Sequence, residues 1–414
     1  MADRQRTGGW SGAIAKLPRW LWSCLAGGSW KLALGRLLLA AAVFGLGALL
    51  FVSAGLVPVA ASQGHWPITR VLLHFAMRRS VRTHALAVKP PPAEDQLLDT
   101  EAMVLKGAGH YAGGCLACHG APGHPRAEVM LHSVPQPPYL PPKIAEWNDR
   151  ELFWIVRHGI KYTAMPAWPT QQRDDEVRAM VAFLRRLPGM TPARFRQLAY
   201  GGATPGVDGS RVAGAIPSTR ATPAPSTLAD CARCHGVDGE GRGGAVPRLA
   251  GQREAYLLES LRAYARGDRH SGIMQPVAAA LDDAAMAALA RHYAGLDIRP
   301  AAPVDAHPDA AAIERGARLA TRGDAAGRVP ACVACHDTGT GPGTADRNPH
   351  YPLLAGQHPD YLRLQLTLFN SGTRGGSAYA PIMHTVAGSL EPGDIRDLSA
   401  FFASRPTAPK TPER

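Results

Sequence analysis

Six of the seven cysteines of this 414-residue chain occur in three copies of one pattern, Cys-x-x-Cys-His. The seventh, Cys24, stands alone and is expected to be an apolar filler. The three copies divide the chain into three units, each with one such motif. The cysteine pairs are Cys115 and Cys118, Cys231 and Cys234, and Cys332 and Cys335, followed directly by His119, His235 and His336.

The spacing of this pattern suits covalent attachment of haem. Two thiols three residues apart on one helical turn reach both vinyl groups of the porphyrin, and the next residue presents an imidazole to the iron. A structural zinc site would need further ligands in each unit, such as a second cysteine pair, and a thioredoxin-like redox pair would need a βαβ setting. Neither accompanies the motifs. The sequence therefore predicts three covalently bound haem c groups, with His119, His235 and His336 as iron ligands.

Each unit also offers a methionine as the second axial ligand of its iron. The candidates are Met165 in TAMPAW, Met274 in SGIMQP and Met383 in APIMHT, which follow the motif histidines by 46, 39 and 47 residues. They stand in short segments flanked by Gly or Pro, where a loop can place a thioether on the distal side of a haem. We expect the competing methionines to pack in or beyond helices and the competing histidines to be exposed. The competitors are His158, Met180 and Met190 in the first unit, His270 and Met286 in the second, and His384 in the third.

The soluble part of the chain divides into three modules. Modules one, two and three are predicted at 94–192, 227–297 and 311–406, with a flexible Gly/Pro/Ser/Thr-rich linker at 193–226 and a Pro/Ala-rich linker at 298–310. Modules two and three share a repeat: GQREAYLLESLRAYARGDR, from Gly251, aligns with GQHPDYLRLQLTLFNSGTR, from Gly356. Both copies keep Gly-Gln, Tyr-Leu and Gly-x-Arg at the same spacing. Such a repeat indicates duplicated small domains.

Helical patterns dominate the modules. Acidic residues open the apolar periodic segments that begin near Asp174, Asp282 and Gly393, as they do at helix N-termini. No run of alternating residues indicates a strand. The predicted fold class is therefore all-α.

An uncharged apolar stretch lies near the N-terminus. Residues 37–58 (LLLAAAVFGLGALLFVSAGLVP) can cross a hydrocarbon core of about 30 Å as one transmembrane helix. The basic arm at 1–36 is predicted to stay in the cytoplasm, which places the rest of the chain outside. The alternative is a cleaved signal peptide processed at VAAS (59–62), but the leader and the apolar stretch are longer than usual.

The segment at 59–93 is predicted to be a juxtamembrane amphipathic element. Val71, Leu72 and Phe75 share one face of a helix, with arginines nearby. We expect this helix to lie on the outer surface of the membrane.

The net charge of +12 does not indicate nucleic-acid binding, because most of it is at the N-terminus. Residues 1–90 carry 11 Lys/Arg and one acid, whereas residues 91–414 carry 34 Lys/Arg against 32 acids. The soluble modules are therefore nearly neutral, and no nucleic-acid partner is expected.

The motifs resemble those of the small cytochromes c whose iron is bound by histidine and methionine, and the resemblance recurs three times over about 300 residues. Modules two and three together are similar to the bacterial dihaem cytochromes c, since both carry Pro-x-Leu-x-Gly-Gln, from Pro247 and from Pro352. The resemblance implies three small cytochrome c domains, which the apolar segment at 37–58 precedes as the predicted N-terminal transmembrane helix. It also implies that the carbonyls of these prolines accept a hydrogen bond from the motif histidine. In module one, Pro138 and Pro141 are alternatives for this role.

Module two departs from the family pattern. Only STLAD stands between the linker and Cys231, so its N-terminal helix is expected to be short.

Iron bound by both histidine and methionine leaves no open position for a substrate, so electron transfer is the expected function. The leading prediction is a membrane-anchored trihaem carrier in the periplasm of a bacterium, which passes electrons to a terminal haem-copper oxidase or links it to a quinol-oxidising complex. The alternative is the cytochrome subunit of a periplasmic alcohol, aldehyde or sugar-acid dehydrogenase. A haem peroxidase would need one open or labile iron, which the three methionines disfavour. We expect an electron-transfer protein and not an enzyme, with membrane lipid and redox proteins as partners.

Overall fold

The structure is a computed structural model that describes residues 30–90, 100–201, 225–244, 246–298, 309–336 and 348–406. Within these ranges the regular structure is helical, and the one β-type contact is an isolated bridge between Ala121 and His124. The prediction of an all-α fold is therefore confirmed. The chain forms two compact units, Met1–Gly64 and His65–Arg414. Most of the predicted basic arm, residues 1–29, lies outside the described residues.

The first unit contains helix α1, Trp30–Ser53, which is long and apolar enough to cross a membrane. Membrane anchors and signal sequences share this property. The helix begins and ends earlier than the predicted 37–58. It includes Lys31 and Arg36 because long unbranched side chains lose little freedom in a helix. It ends before Gly55, whose φ of 70° belongs to the left-handed region that stops helices.

The second unit begins with helix α2, Pro67–Ala85, which has Pro at its start. Its first half exposes the apolar face predicted from the sequence, including Val71, Leu72 and Phe75. Its second half differs from the expectation of a purely surface-bound helix, because Val81 is 1% exposed and packs on module one. Arg78 fixes this contact through an ion pair of 2.8 Å with Glu146.

Module one is a helical bundle built on the crossing of helices α3 (Glu101–Gly114) and α7 (Asp174–Arg186). Its core is aromatic: Tyr111, Phe183 and Phe195 are fully buried. The two helices approach closely at Gly107, where a Cβ atom would lie 2.3 Å from the carbonyl oxygen of Ala179. The helices are α3 Glu101–Gly114, α4 Leu116–His119, α5 Glu128–Leu131, α6 Asp149–His158, α7 Asp174–Arg186 and α8 Pro192–Tyr200, with a 3-10 turn at Ile144–Glu146.

The first predicted linker starts too early. Helix α8 occupies its first residues, and Phe195, Leu198 and Ala199 are buried in the core of module one. Their i, i+3, i+4 spacing gives the helix an apolar face. Residues 202–224 of that linker and residues 299–308 of the second lie outside the described residues.

Modules two and three repeat the helical arrangement with one difference. Helices α13 (Ala310–Arg322) and α16 (Pro392–Ser404) of module three cross at Gly316, as α3 and α7 cross at Gly107. The N-terminal helix of module two, α9 (Pro225–His235), is shorter and contains the haem motif. It packs against α3 and α8 of module one. Module two contains α9 Pro225–His235, α10 Glu254–Arg266, α11 Met274–Ala279 and α12 Asp283–Gly295; module three contains α13 Ala310–Arg322, a 3-10 turn Cys332–Ala334, α14 Pro359–Asn370, α15 Ala380–Gly388 and α16 Pro392–Ser404.

Candidate haem sites

The motif histidine of each module is oriented by a proline carbonyl. The distances from histidine Nδ1 to the carbonyl oxygen are 2.9 Å for His119 and Pro138, 3.1 Å for His235 and Pro247, and 3.0 Å for His336 and Pro352. Of the two prolines left open in module one, Pro138 makes the contact. A neutral imidazole that donates from Nδ1 carries its lone pair on Nε2, the nitrogen that then faces a metal.

Burial favours the neutral imidazole that a metal requires. It lowers the pKa of His235 below the ordinary 6.5, against the opposite effect of the hydrogen bond to Pro247. The pKa of His119 is lowered in the same way, with Arg126 as a further cause and the Pro138 hydrogen bond opposing it. Metal binding needs deprotonated ligands, so these environments suit axial ligation.

The motif cysteines are single thiols: none of the six, all within the described residues, forms a disulfide. Burial raises the pKa of Cys115 and of Cys231 to about 12, and that of Cys332 to about 11. Each motif thus offers two thiols and one imidazole, the set of groups that covalent haem c requires.

The three candidate methionines are all half-buried but lie in different local structures. Met165 is in a loop that folds back onto the end of α6, where Gly159 has φ of 64° and a Cβ atom would lie 2.6 Å from the carbonyl oxygen of Met165. Met274 begins α11 and Met383 lies within α15, in contrast to the loops expected from the sequence. Ser271 and Pro381 explain these short helices, since Ser271 accepts a hydrogen bond from the Met274 amide and Pro381 occupies the first turn of α15.

The competing methionines behave as packing residues. Met180 and Met286 are 2% and 6% exposed inside α7 and α12, and Met190 is partly buried against the core of module one.

The competing histidines agree with expectation in one case of three. His158 is exposed, as predicted. His270 and His384 are partly buried. Nε2 of His384 lies 2.6 Å from the carbonyl oxygen of Arg374, and the carbonyl of His270 accepts a hydrogen bond from Arg173.

Modules two and three exchange a reciprocal pair of amide contacts. Gln357 of module three accepts from the amide of Arg248 at 2.9 Å and donates to its carbonyl at 3.0 Å. Gln252 of module two does the same with Leu353, at 2.9 and 3.0 Å. Arg248 and Leu353 each follow the proline that holds the motif histidine of their own module. Each glutamine thus holds the backbone next to the proline that contacts the motif histidine of the other module.

A second reciprocal pair joins the same modules. Arg269 of module two donates to the hydroxyl of Tyr361 at 3.3 Å, and Arg374 of module three donates to that of Tyr256 at 2.8 Å. Burial alone would raise the pKa of Tyr256, but Arg374 and Arg269 lower it to about 7. The polar residues kept in both repeats, Gln and Arg, are therefore interface residues. From the sequence they indicate only a repeat. Polar residues kept at the same positions of both copies could also have indicated an interface between the two modules.

Module two also binds module one. Arg242 donates to the carbonyl of Gln197 at 2.7 Å, and the buried carboxylate of Glu176 accepts from Ser271 and Gly272. No sequence pattern indicated these contacts. Module two is thereby in contact with both of the other modules.

Comparison with known families agrees with this geometry. Residues 102–184 match the family described as "Cytochrome C oxidase, cbb3-type, subunit III", and residues 226–294 match the family described as "Cytochrome c".

Individual relatives are similar over slightly less than half of the chain. A thiosulfate dehydrogenase electron acceptor of Thiomonas intermedia is 36% identical over 45% of this chain and 83% of its own length. One of Stutzerimonas stutzeri with the same description is 38% identical over 44% and 80%. Cytochrome c4 of Pseudomonas aeruginosa is 34% identical over 42% and 82%. The chain belongs to the cytochrome c family, as an electron-transfer protein with three covalently bound haem c groups.

Proposed function

We propose that this protein is a membrane-anchored trihaem relay that works on the periplasmic face of a bacterial cytoplasmic membrane. In this proposal α1 is a retained anchor that spans the membrane once. Each haem is bound through one cysteine pair, and its iron lies between a histidine and a methionine. The axial pairs are His119 and Met165, His235 and Met274, and His336 and Met383. Haem held in this way supplies reversible one-electron transfer without an open site for substrate.

The observation that supports the relay is that module two contacts both module one and module three. Module two is hydrogen-bonded to module one through Glu176 and to module three through Gln252 and Gln357. Electron transfer needs short distances between carriers, and docked modules keep their haems close. These contacts support an order in which the haem of module two links the other two.

The relatives suggest which partners stand at the two ends. The match of 102–184 to an oxidase subunit family favours a terminal haem-copper oxidase as acceptor at module one. Two relatives are described as electron acceptors of thiosulfate dehydrogenase, and their alignments of 187 and 188 residues have about the length of modules two and three together. This favours a periplasmic dehydrogenase as electron donor. It also keeps open the second candidate function, a cytochrome subunit of such a dehydrogenase.

Oxygen uptake by membranes from cells that make the protein tests the proposal. The variant Cys115→Ala/Cys118→Ala removes the haem of module one and leaves the other two motifs intact. We expect a periplasmic dehydrogenase and its substrate to reduce the remaining haems while oxygen uptake through a haem-copper oxidase is lost. Unchanged oxygen uptake in this variant would contradict module one as the exit. Copurification with a dehydrogenase and no dependence on an oxidase would favour the second candidate.

The proposed anchor needs its own test. Extraction of the membranes with alkaline carbonate should leave the mature protein in the pellet with its N-terminal residues present. Release as a shortened soluble chain would show that α1 is a cleaved signal sequence.

A further inference from the structure

A buried carboxylate of module one holds the loop that leads to Met274 of module two. Glu176 in α7 is 2% exposed. Its Oε1 accepts a hydrogen bond from the hydroxyl of Ser271 at 2.6 Å, and its Oε2 accepts one from the amide of Gly272 at 2.6 Å. Hydrogen bonds to a carboxylate are stronger than those between neutral groups. The two contacts fix both a side chain and the backbone of this loop.

The contacts of Glu176 with Ser271 and Gly272, here called the clamp, extend to Met274 through Ser271. The hydroxyl oxygen of Ser271 accepts hydrogen bonds from the amide of Met274 at 3.0 Å and from that of Ile273 at 3.3 Å. The serine hydroxyl therefore joins Glu176 on one side to the backbone of the methionine on the other. A change at Glu176 alters the groups that set the position of the Met274 backbone.

Other groups of module one neutralise and orient the carboxylate. Arg173 lies 3.1 Å from Glu176 and donates to the carbonyl of His270 at 2.8 Å, so it also contacts the loop. Burial alone would lower the pKa of Arg173, but Asp175 and Glu176 raise it, and the guanidinium stays charged. Trp168 donates from Nε1 to Glu176 at 3.3 Å. The buried charge thus has the partners that such a charge requires.

The two modules fit closely at this point. A Cβ atom on Gly272 would lie 1.9 Å from Nε1 of Trp168, so a larger residue requires one of them to move. Trp168 is three residues from Met165, so the methionine segments of modules one and two meet here. Module one also approaches the attachment side, where a Cβ atom on Gly109 would lie 2.7 Å from Sγ of Cys234.

We propose that Glu176 is a positioning residue for the distal ligand of the haem in module two, so that docking of module one controls how firmly Met274 stays on the iron. This inference rests on the proposed ligation by Met274. A thioether is a neutral, weak ligand, and its attachment depends on a loop that cannot move away. When the clamp is broken, the loop opens more often and an added ligand enters at this one haem.

Cyanide binding to the oxidised full-length protein measures loop opening, since cyanide replaces methionine only when the iron–sulfur bond is broken. The variants are Glu176→Gln and the milder Ser271→Ala, and each is expected to raise the rate at one haem of three by about tenfold or more, which corresponds to about 1.4 kcal/mol. The reduction potential of the same haem should fall, because opening favours harder ligands on ferric iron. Ser271→Thr keeps the hydroxyl, so it should bind cyanide at the rate of the native protein.

Glu151→Gln is the matched control. Glu151 is another buried carboxylate of module one, 8% exposed, but its side chain caps the amide of Asn148 at the start of α6. An equal rise of the cyanide rate in this control would overturn the proposal, since general loosening of module one would then explain it. Native rates in both Glu176→Gln and Ser271→Ala would also overturn it.

The variant Met274→Ala separates this inference from the proposed function. If it gives one rapidly reacting haem while the Glu176 and Ser271 variants stay native, the ligand assignment stands and the positioning role is wrong. If Met274→Ala leaves every haem native, the assignment of Met274 itself is wrong, and the inference falls with it.

Discussion

Replacement of Gln357 by methionine tests whether the reciprocal amide contacts hold modules two and three together. In the native protein the side-chain amide of Gln357 pairs with both the N–H and the carbonyl of Arg248, at 2.9 and 3.0 Å. Both residues are 6% exposed. Methionine fills a similar volume but provides no donor and only a weak acceptor.

The expected cost at the interface follows from the N–H and the carbonyl of Arg248, which lose their partner. The amide of His358, which donates to the same side-chain oxygen of Gln357 at 3.0 Å, loses its partner within module three. A buried polar group that loses its hydrogen bond costs about 1–3 kcal/mol, so two cost about 2–6 kcal/mol. The greater apolar burial of methionine offsets about 1–2 kcal/mol of this. We therefore expect Gln357→Met to weaken the contact by about 1–4 kcal/mol, with a part of the loss absorbed by relaxation of the interface.

Amide hydrogen exchange followed by mass spectrometry measures this effect at the site itself. The peptide that contains Arg248 should exchange about fivefold faster or more, since about 1 kcal/mol corresponds to a factor of about five. The control is Gln171→Met, which removes an exposed amide that donates to the carbonyl of Arg157 at 2.9 Å in module one. Equal exchange at Arg248 in Gln357→Met and in the control would show that these amide contacts do not hold modules two and three together.

Two further predictions concern the junction of modules one and two. Gly272→Ala should destabilise the protein by about 1–3 kcal/mol in denaturant unfolding, because its Cβ atom meets Trp168; Gly295→Ala, with nothing within 4 Å, should have no such cost. Burial, followed by Arg233 and Lys106, lowers the pKa of His110 from 6.5 to about 4. The unfolded chain therefore binds more protons between these values, so stability should fall by at most about 3 kcal/mol as the pH drops from 6.5 to 4, and be constant above 6.5. The free energy of unfolding of His110→Gln should depend less on pH across this range than that of the native protein. An unchanged pH dependence would contradict the lowered pKa of His110.

Local chemistry explains what the sequence could predict. The attachment motifs combine five consecutive residues, so covalent haem and the motif histidine are determined within one helical turn. The proline contacts were expected because a motif with fixed spacing carries them, and His235 and His336 make them as implied. Where no such motif was present, in module one, only the structure distinguishes Pro138 from Pro141.

Contacts between modules were beyond the reach of sequence patterns. Glu176 and Ser271 are 95 positions apart, and nothing in either local sequence indicates the other. Helix α8 was missed for a related reason: the Gly/Pro/Ser/Thr-rich stretch beside it dominated the interpretation, although Phe195 and Ala199 lie on an apolar helical face. The N-terminal helix of module two was expected to be short, and in the structure it packs against α3 and α8 of module one.

In the proposed ligation each of the three haems is held between the histidine and the methionine of its own module. The test combines the intact mass with the long-wavelength charge-transfer band that methionine ligation gives to oxidised haem, in the full-length protein and in Met165→Ala, Met274→Ala and Met383→Ala. We expect three covalent haems per chain, a full band for all three, and the loss of one third of it in each variant. Fewer than three haems, or a variant that keeps the whole band while a histidine variant such as His270→Ala or His384→Ala loses part of it, would show that this ligation is wrong.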